Sequence, residues 1–139
     1  MATVPGVTSA PPDWLPPSAR SPLDDKLGIT IVDYDPKRLV ATMPVEGNQQ
    51  PFGLLHGGAT CALMETIGSW AGALHAGPDK QVVGIELNAS YLRGATSGVV
   101  TAVCTPVRRG RTLSTFLIQV TDEEGRPTAT GRLTCLTKA

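Results

Sequence analysis

Apolar residues recur at spacings of three and four from Gly58 to about His75, with Leu63, Ile67, Trp70 and Leu74 in one stripe, and this period predicts a helix. Glu65 is the one residue within its body that carries a charge at neutral pH. A solvated surface helix of this length carries several charges on its outer face, so this one is expected to be largely wrapped by protein. A carboxylate placed there needs a reason. Before the helix, residues 27–34 and 38–45 are strand-like runs on either side of Asp33-Tyr34-Asp35-Pro36, a set of turn residues, and are expected to form a hairpin. Ala76-Gly77-Pro78-Asp79 ends the helix. Four runs rich in Val, Thr, Leu and Ile follow at 81–92, 98–107, 112–121 and 128–137, separated by short polar turns. Turns this short imply antiparallel pairing of consecutive strands. The order β-β-α-β-β-β-β therefore predicts an α+β fold, a curved antiparallel sheet wrapped around one long central helix.

At 139 residues the chain fits one domain, large enough for a core but small for a pocket with its own walls, a shortage that a partner subunit would remedy. Six of its twelve prolines fall in residues 1–22, which remove backbone donors and predict an extended or disordered arm ahead of a single domain at 23–139. Twelve basic residues balance twelve acidic ones, so no global field favours nucleic acid or an anionic membrane surface. Cys61, Cys104 and Cys135 are odd in number and lack CxxC spacing, which suggests free thiols and a cytoplasmic setting. No apolar run has the length of a secretion signal or a membrane span.

The sharpest motif runs from Gln50 to Ser69, in which His56-Gly57-Gly58 opens the helix, Gln50 lies six residues before the His and Glu65 nine after it. It continues into Val82-Val-Gly-Ile-Glu-Leu-Asn-Ala-Ser-Tyr-Leu-Arg93 and the Arg109-Gly110-Arg111 turn. With the order of elements, this pattern resembles the hotdog-fold acyl-CoA thioesterases over residues 27–137, in particular the subgroup of hydroxybenzoyl-CoA and dihydroxynaphthoyl-CoA thioesterases with a catalytic Glu. The resemblance implies hydrolysis of the thioester of a small aromatic or medium-chain acyl-CoA, without a metal or organic cofactor. It also implies a homotetramer built as a dimer of dimers.

Thioester hydrolysis needs a polarised carbonyl, an activated water or nucleophile, and an exit for the thiolate. By position in the motif, Glu65 corresponds to the family's catalytic carboxylate, attacking the acyl carbon or drawing a proton from water; partial burial would strengthen it as a base. Gly57 sits at the helix start, where amides lack internal partners and the dipole is positive, so its N–H suits a developing oxyanion. A glycine kept for a tight strand-to-helix turn is the plainer reading, and the two are compatible. Gln50 resembles the family's amide that contacts the thioester oxygen or positions His56, or else it only caps the loop, and His56 either orients the carbonyl or bonds a backbone group. Ser69 lies one turn beyond Glu65 on the same side, where it can hold the attacking water. The resemblance places Tyr91, Arg93, Arg109, Arg111 and Thr112 near the nucleotide; charges at turns are otherwise simply solvated. Phe52 and Trp70 are candidates for the acyl pocket, although aromatic residues beside or on a central helix are usually core.

Gly57 and Glu65 are eight positions apart, about 12 Å along a helix, too far to flank one carbonyl carbon. Two such helices antiparallel across a two-fold axis bring the Gly57 end of one to Glu65 of the other. The expected site therefore takes Gln50, His56 and Gly57 from one subunit and Glu65 and Ser69 from its mate. An acyl-ACP thioesterase and a non-catalytic acyl-CoA-binding protein are the alternatives, the second disfavoured by the acid on the helix. A cysteine mechanism through Cys61 lacks a base. No zinc spacing, phosphate-binding glycine loop or GxSxG elbow occurs.

Overall fold

The computed structural model describes residues 10–15 and 21–139, so most of the proline-rich arm lies outside the described residues. In chain order the elements are α1 (Pro22–Leu27), β1 (Thr30–Asp33), β2 (Leu39–Pro44), α2 (Gly57–Ala76), β3 (Gln81–Tyr91), β4 (Val99–Arg109), β5 (Leu113–Thr121) and β6 (Pro127–Lys138). All six strands form one curved antiparallel sheet in the order β1-β2-β4-β5-β6-β3, and α2 packs against β2, β3, β4, β5 and β6. The hotdog arrangement expected from the pattern is the one observed.

Two features depart from expectation. The first is α1, a six-residue helix where none was expected. Its start was nonetheless spelled out: Ser21 caps it by accepting from Asp24 N–H at 3.3 Å, Pro22 opens it, and Asp24 and Asp25 sit in its first turn. Asp24 also accepts from Thr66 Oγ1 at 2.7 Å, tying α1 to α2.

The second concerns pairing, because β3 and β4 are consecutive but not neighbours. β3 forms the far edge beside β6, and residues 92–98 cross the start of α2 before β4 joins β2. Along the way Leu92 N–H donates to Thr128 O at 2.8 Å, Leu55 N–H to Ala95 O at 2.8 Å, and Val45 N–H to Gly98 O at 2.9 Å. The connector thus works as a strap with its own partners rather than as a reversal. Turn residues report a change of direction and not which strand comes next to which.

The core lies between α2 and the sheet. Leu39, Met43, Leu63, Met64, Ile67, Phe116, Ile118 and Leu133 are fully buried. Gly68 lets the helix settle on β6, since a Cβ there would stand 2.5 Å from Leu133 Cδ2. Trp70 and Leu74 complete the expected stripe only as half-buried residues packed on this core, and the Trp70 ring meets Tyr34 edge-on, centroids 5.4 Å apart. Among the described residues no helix is long and apolar enough to cross a membrane.

Candidate active site

The tip of α2 is built from the loop before it. Gln49 bridges to Leu55, Gln50 N–H donates to Leu54 O at 2.7 Å, and Gln50 Oε1 in turn accepts from the N–H groups of Phe52 and Leu54. Gln50 therefore caps its loop through the oxygen, which leaves its Nε2 for a ligand. His56 is the N-cap of α2, and its Nδ1 accepts from Gly58 N–H at 2.8 Å. An accepting Nδ1 puts the ring proton of the neutral imidazole on Nε2. The His56 carbonyl accepts from the N–H groups of Ala59 at 3.0 Å and Thr60 at 3.2 Å. The Gly57 carbonyl accepts from the Tyr91 hydroxyl at 2.9 Å. After these bonds the Gly57 N–H is the amide of this turn without a partner among the described residues. It stands at a cleft of about 490 Å³ whose walls include Gln50, Gly57, Thr60, Tyr91, Arg93 and Thr128.

Two turns further along α2, Ser69 Oγ donates to Glu65 Oε2 at 3.1 Å, as the four-residue spacing predicts. The carboxylate lies over Gly84 of β3, where any Cβ would collide with Oε2 and stand 3.1 Å from Cδ. The β3–β6 register shifts between Gly84 and Glu86, so a bulge at Ile85 accompanies this bare patch of strand. One protomer does not bury Glu65; its side chain is exposed. That corrects the expectation of a wrapped helix. The sheet covers one side of α2, and the side bearing Glu65 is left open because β3, the nearest strand, is the sheet's edge.

The structure brings Gln50 and Gly57 together at the cleft, with Tyr91 and Arg93 beside them. His56 caps the same helix tip but lines a separate pocket with Leu23, Gln49 and Ala62, and Glu65 and Ser69 lie apart from the cleft. The remaining candidates divide. Phe52 does not line an acyl pocket in the protomer, for it is 88% exposed on the loop. Trp70 is engaged with Tyr34 at the core margin. Arg109, Arg111 and Thr112 are not near Arg93: their turn is held by His75 Nε2 on Gly110 O at 3.0 Å, at the other end of the helix. The eighteen positions from Gly57 to His75 amount to roughly 27 Å of helix. The Cys61 Sγ lies 3.1 Å from the Tyr91 hydroxyl. The residue that sequence reasoning passed over is Gly84, although an isolated glycine inside a strand pattern marks a bulge or a close approach.

The sequence model of the thioesterase superfamily matches residues 52–129. The proofreading thioesterase EntH of Cronobacter sakazakii is 46% identical over 110 residues, covering 78% of this chain and 80% of that one. The 1,4-dihydroxy-2-naphthoyl-CoA hydrolase of Escherichia coli is 47% identical over 97 residues, covering 69% of this chain and 71% of that one. The crystal structure of a thioesterase from Haemophilus influenzae superposes with a TM-score of 0.80 at 43% identity, covering 83% of this chain and 81% of that one.

Proposed function

Because the chain belongs to the thioesterase superfamily and is a thioester hydrolase, we propose that it cleaves a small aromatic or medium-chain acyl-CoA in a site shared between two protomers. One observation carries this reading: the unpaired Gly57 N–H and the Glu65 carboxylate lie on the same helix about two turns apart, the carboxylate open to the outside beside an edge strand. A second copy with its α2 antiparallel puts its Glu65 opposite the first copy's Gly57. β3 supports such a contact, as an edge strand of eleven residues with Val83 45% and Ile85 53% exposed. A long exposed edge of that kind is one that proteins normally cover.

In this arrangement the thioester oxygen accepts from Gly57 N–H and Gln50 Nε2, at the positive end of the helix, where the oxyanion develops. The partner's Glu65, held by Ser69, takes a proton from water as the water oxygen bonds to the acyl carbon. Collapse breaks the carbon–sulfur bond, and the departing thiolate takes up that proton. Direct attack by Glu65 expels the thiolate to form a mixed anhydride, which water then cleaves to the same products; single turnover in ¹⁸O-water that puts label into the Glu65 carboxylate identifies this route when water adds at the Glu65 carbonyl. No metal or organic cofactor takes part in either route. If Gly57 faces the partner's Glu65, the partner's His75 lies about 15 Å beyond the tip. The Arg109-Gly110-Arg111 turn beside it then comes within reach of the phosphates of coenzyme A, while Arg93 flanks the cleft itself.

A thiol-release assay with benzoyl-, hydroxynaphthoyl-, phenylacetyl- and medium-chain acyl-CoAs tests the reading. Turnover of at least one of these, lost in Glu65→Gln, is the expected result. Tight binding of acyl-CoA with no thiol released would make the protein a binder instead. A preference for acyl groups carried on acyl carrier protein would move the substrate class.

A further inference from the structure

We infer that Tyr91 is a positioning residue, which with His56 clamps the Gly57–Gly58 peptide from both ends and so aims the neighbouring Gly57 N–H into the cleft; the inference rests on the thioesterase reading only for what that N–H does. The carbonyl of this peptide accepts from the Tyr91 hydroxyl at 2.9 Å, and its N–H donates to His56 Nδ1 at 2.8 Å. The preceding peptide, between His56 and Gly57, has its carbonyl bound by the N–H groups of Ala59 and Thr60. Three of the four polar groups of two successive peptides are thus tied down, and the fourth is the Gly57 N–H. Such fixing matters most here because two glycines in a row have no side chains to restrict their dihedral angles. An oxyanion donor that must be reoriented during the reaction loses most of its worth.

The Tyr91 ring is itself located. The hydroxyl has one proton, and the Gly57 carbonyl takes it, so the Cys61 thiol at 3.1 Å is the donor in the second contact. The ring lies so close that a Cβ on Gly57 would stand 2.8 Å from its Cζ and its hydroxyl oxygen. Glycine at 57 therefore makes room for the clamp as well as for the ligand. This role takes up the Tyr91 hydroxyl, which is bonded to the protein's own backbone.

Tyr91→Phe removes the hydroxyl and keeps the ring. In the full-length protein it is expected to lower kcat about tenfold with KM within twofold, since a positioned donor acts in the transition state and not on ground-state binding. Cys61→Ala, which leaves the main bond in place, is expected to cost about twofold in kcat. In protein labelled with ¹⁵N-glycine, the Gly57 and Gly58 amide signals should shift and exchange faster in Tyr91→Phe, and the Gly125 signal should not. A rise in KM with kcat retained would make Tyr91 a substrate contact and overturn the clamp, as would unmoved Gly57 and Gly58 signals whatever the kinetics. If the wild-type protein releases thiol from none of the substrates, the thioesterase reading fails while the glycine signals still decide the clamp.

Discussion

The two faces of α2 do different work. Towards the sheet, Leu63, Met64 and Ile67 have no exposed surface, Ala71 is 2% exposed, and Gly68 admits the Leu133 side chain. Along the open edge of the sheet, beside β3, Gly57, Cys61, Glu65 and Ser69 follow one another at four-residue spacing as a row that winds slowly around the helix, every one of them exposed or half-buried. The first face is a matter of volume and apolar area. The second consists of small or polar residues that add little packing and hold the polar contacts of the site. Chemistry and stability should therefore separate cleanly by face when single residues are changed.

The largest effect is expected on the open row. Glu65→Gln should lower kcat by about a thousandfold while shifting stability by no more than about 0.5 kcal/mol, as for an exposed side chain with one hydrogen bond. Gly57→Pro removes the amide donor, and its Cβ also presses on the Tyr91 ring, so it should be equally inactive. Refolding the two variants together at equal amounts sharpens the comparison: half the dimers are hybrids with one of two sites intact, so about a quarter of wild-type activity should return. If subunit exchange is confirmed by mass and no activity returns, Gly57 and Glu65 do not serve one site across an interface. The buried face should behave oppositely. Ile67→Ala is expected to cost about 3 kcal/mol in denaturant unfolding through transfer and cavity terms, with kcat nearly unchanged below the transition. A kcat that fell in step with stability would mean that the two faces are not independent.

The same division explains what could be read from the amino-acid order. Periodicity is imposed by burial, so α2 and all six strands were legible to within about three residues, as was the spacing of Glu65 and Ser69. The place of β3 at the edge was not, because the strap at 92–98 looks like a turn and its bonds to Thr128, Leu55 and Val45 are made with residues distant in the chain. Exposure of Glu65 in the protomer follows from that edge and was hidden for the same reason. The helix tip was half legible: a glycine pair at a helix start signals anion chemistry, whereas the Tyr91 hydroxyl on the Gly57 carbonyl joins residues thirty-four apart. The α1 helix was missed despite Ser21-Pro22 and two acids, since proline-rich surroundings drew attention from a local cap signal.

A smaller effect is expected where the open row meets the edge strand. Gly84→Ala puts a methyl group against Glu65 Oε2, which has room to swing outward because the side chain is exposed. The fold should tolerate this within about 0.5 kcal/mol, while kcat falls about tenfold through the displaced base. Unchanged kcat would mean that the carboxylate is not held over β3 during turnover.

The smallest effect joins the two faces. Burial, helped by the neighbouring Cys135, pushes the Cys104 thiol from 9.0 up to about 12, and burial together with the charge of Glu65 pushes Cys135 to about 11. Below pH 9 both thiols are protonated whether the chain is folded or not, so they contribute no pH dependence. Above it the unfolded chain releases these protons and the folded one keeps them, so stability falls with rising pH, by at most about 1.4 kcal/mol per unit for Cys104. The loss continues until each thiol ionises in the folded state, near pH 11 for Cys135 and near 12 for Cys104. Urea unfolding between pH 8 and 11 should show this decline, and Cys104→Ala should flatten it. Removing the Glu65 charge with Glu65→Gln lets Cys135 ionise earlier in the folded protein, so its share of the decline should end at lower pH. Superimposable curves for Glu65→Gln and wild type would show that the carboxylate on the open face is not felt by the thiol beneath the buried one.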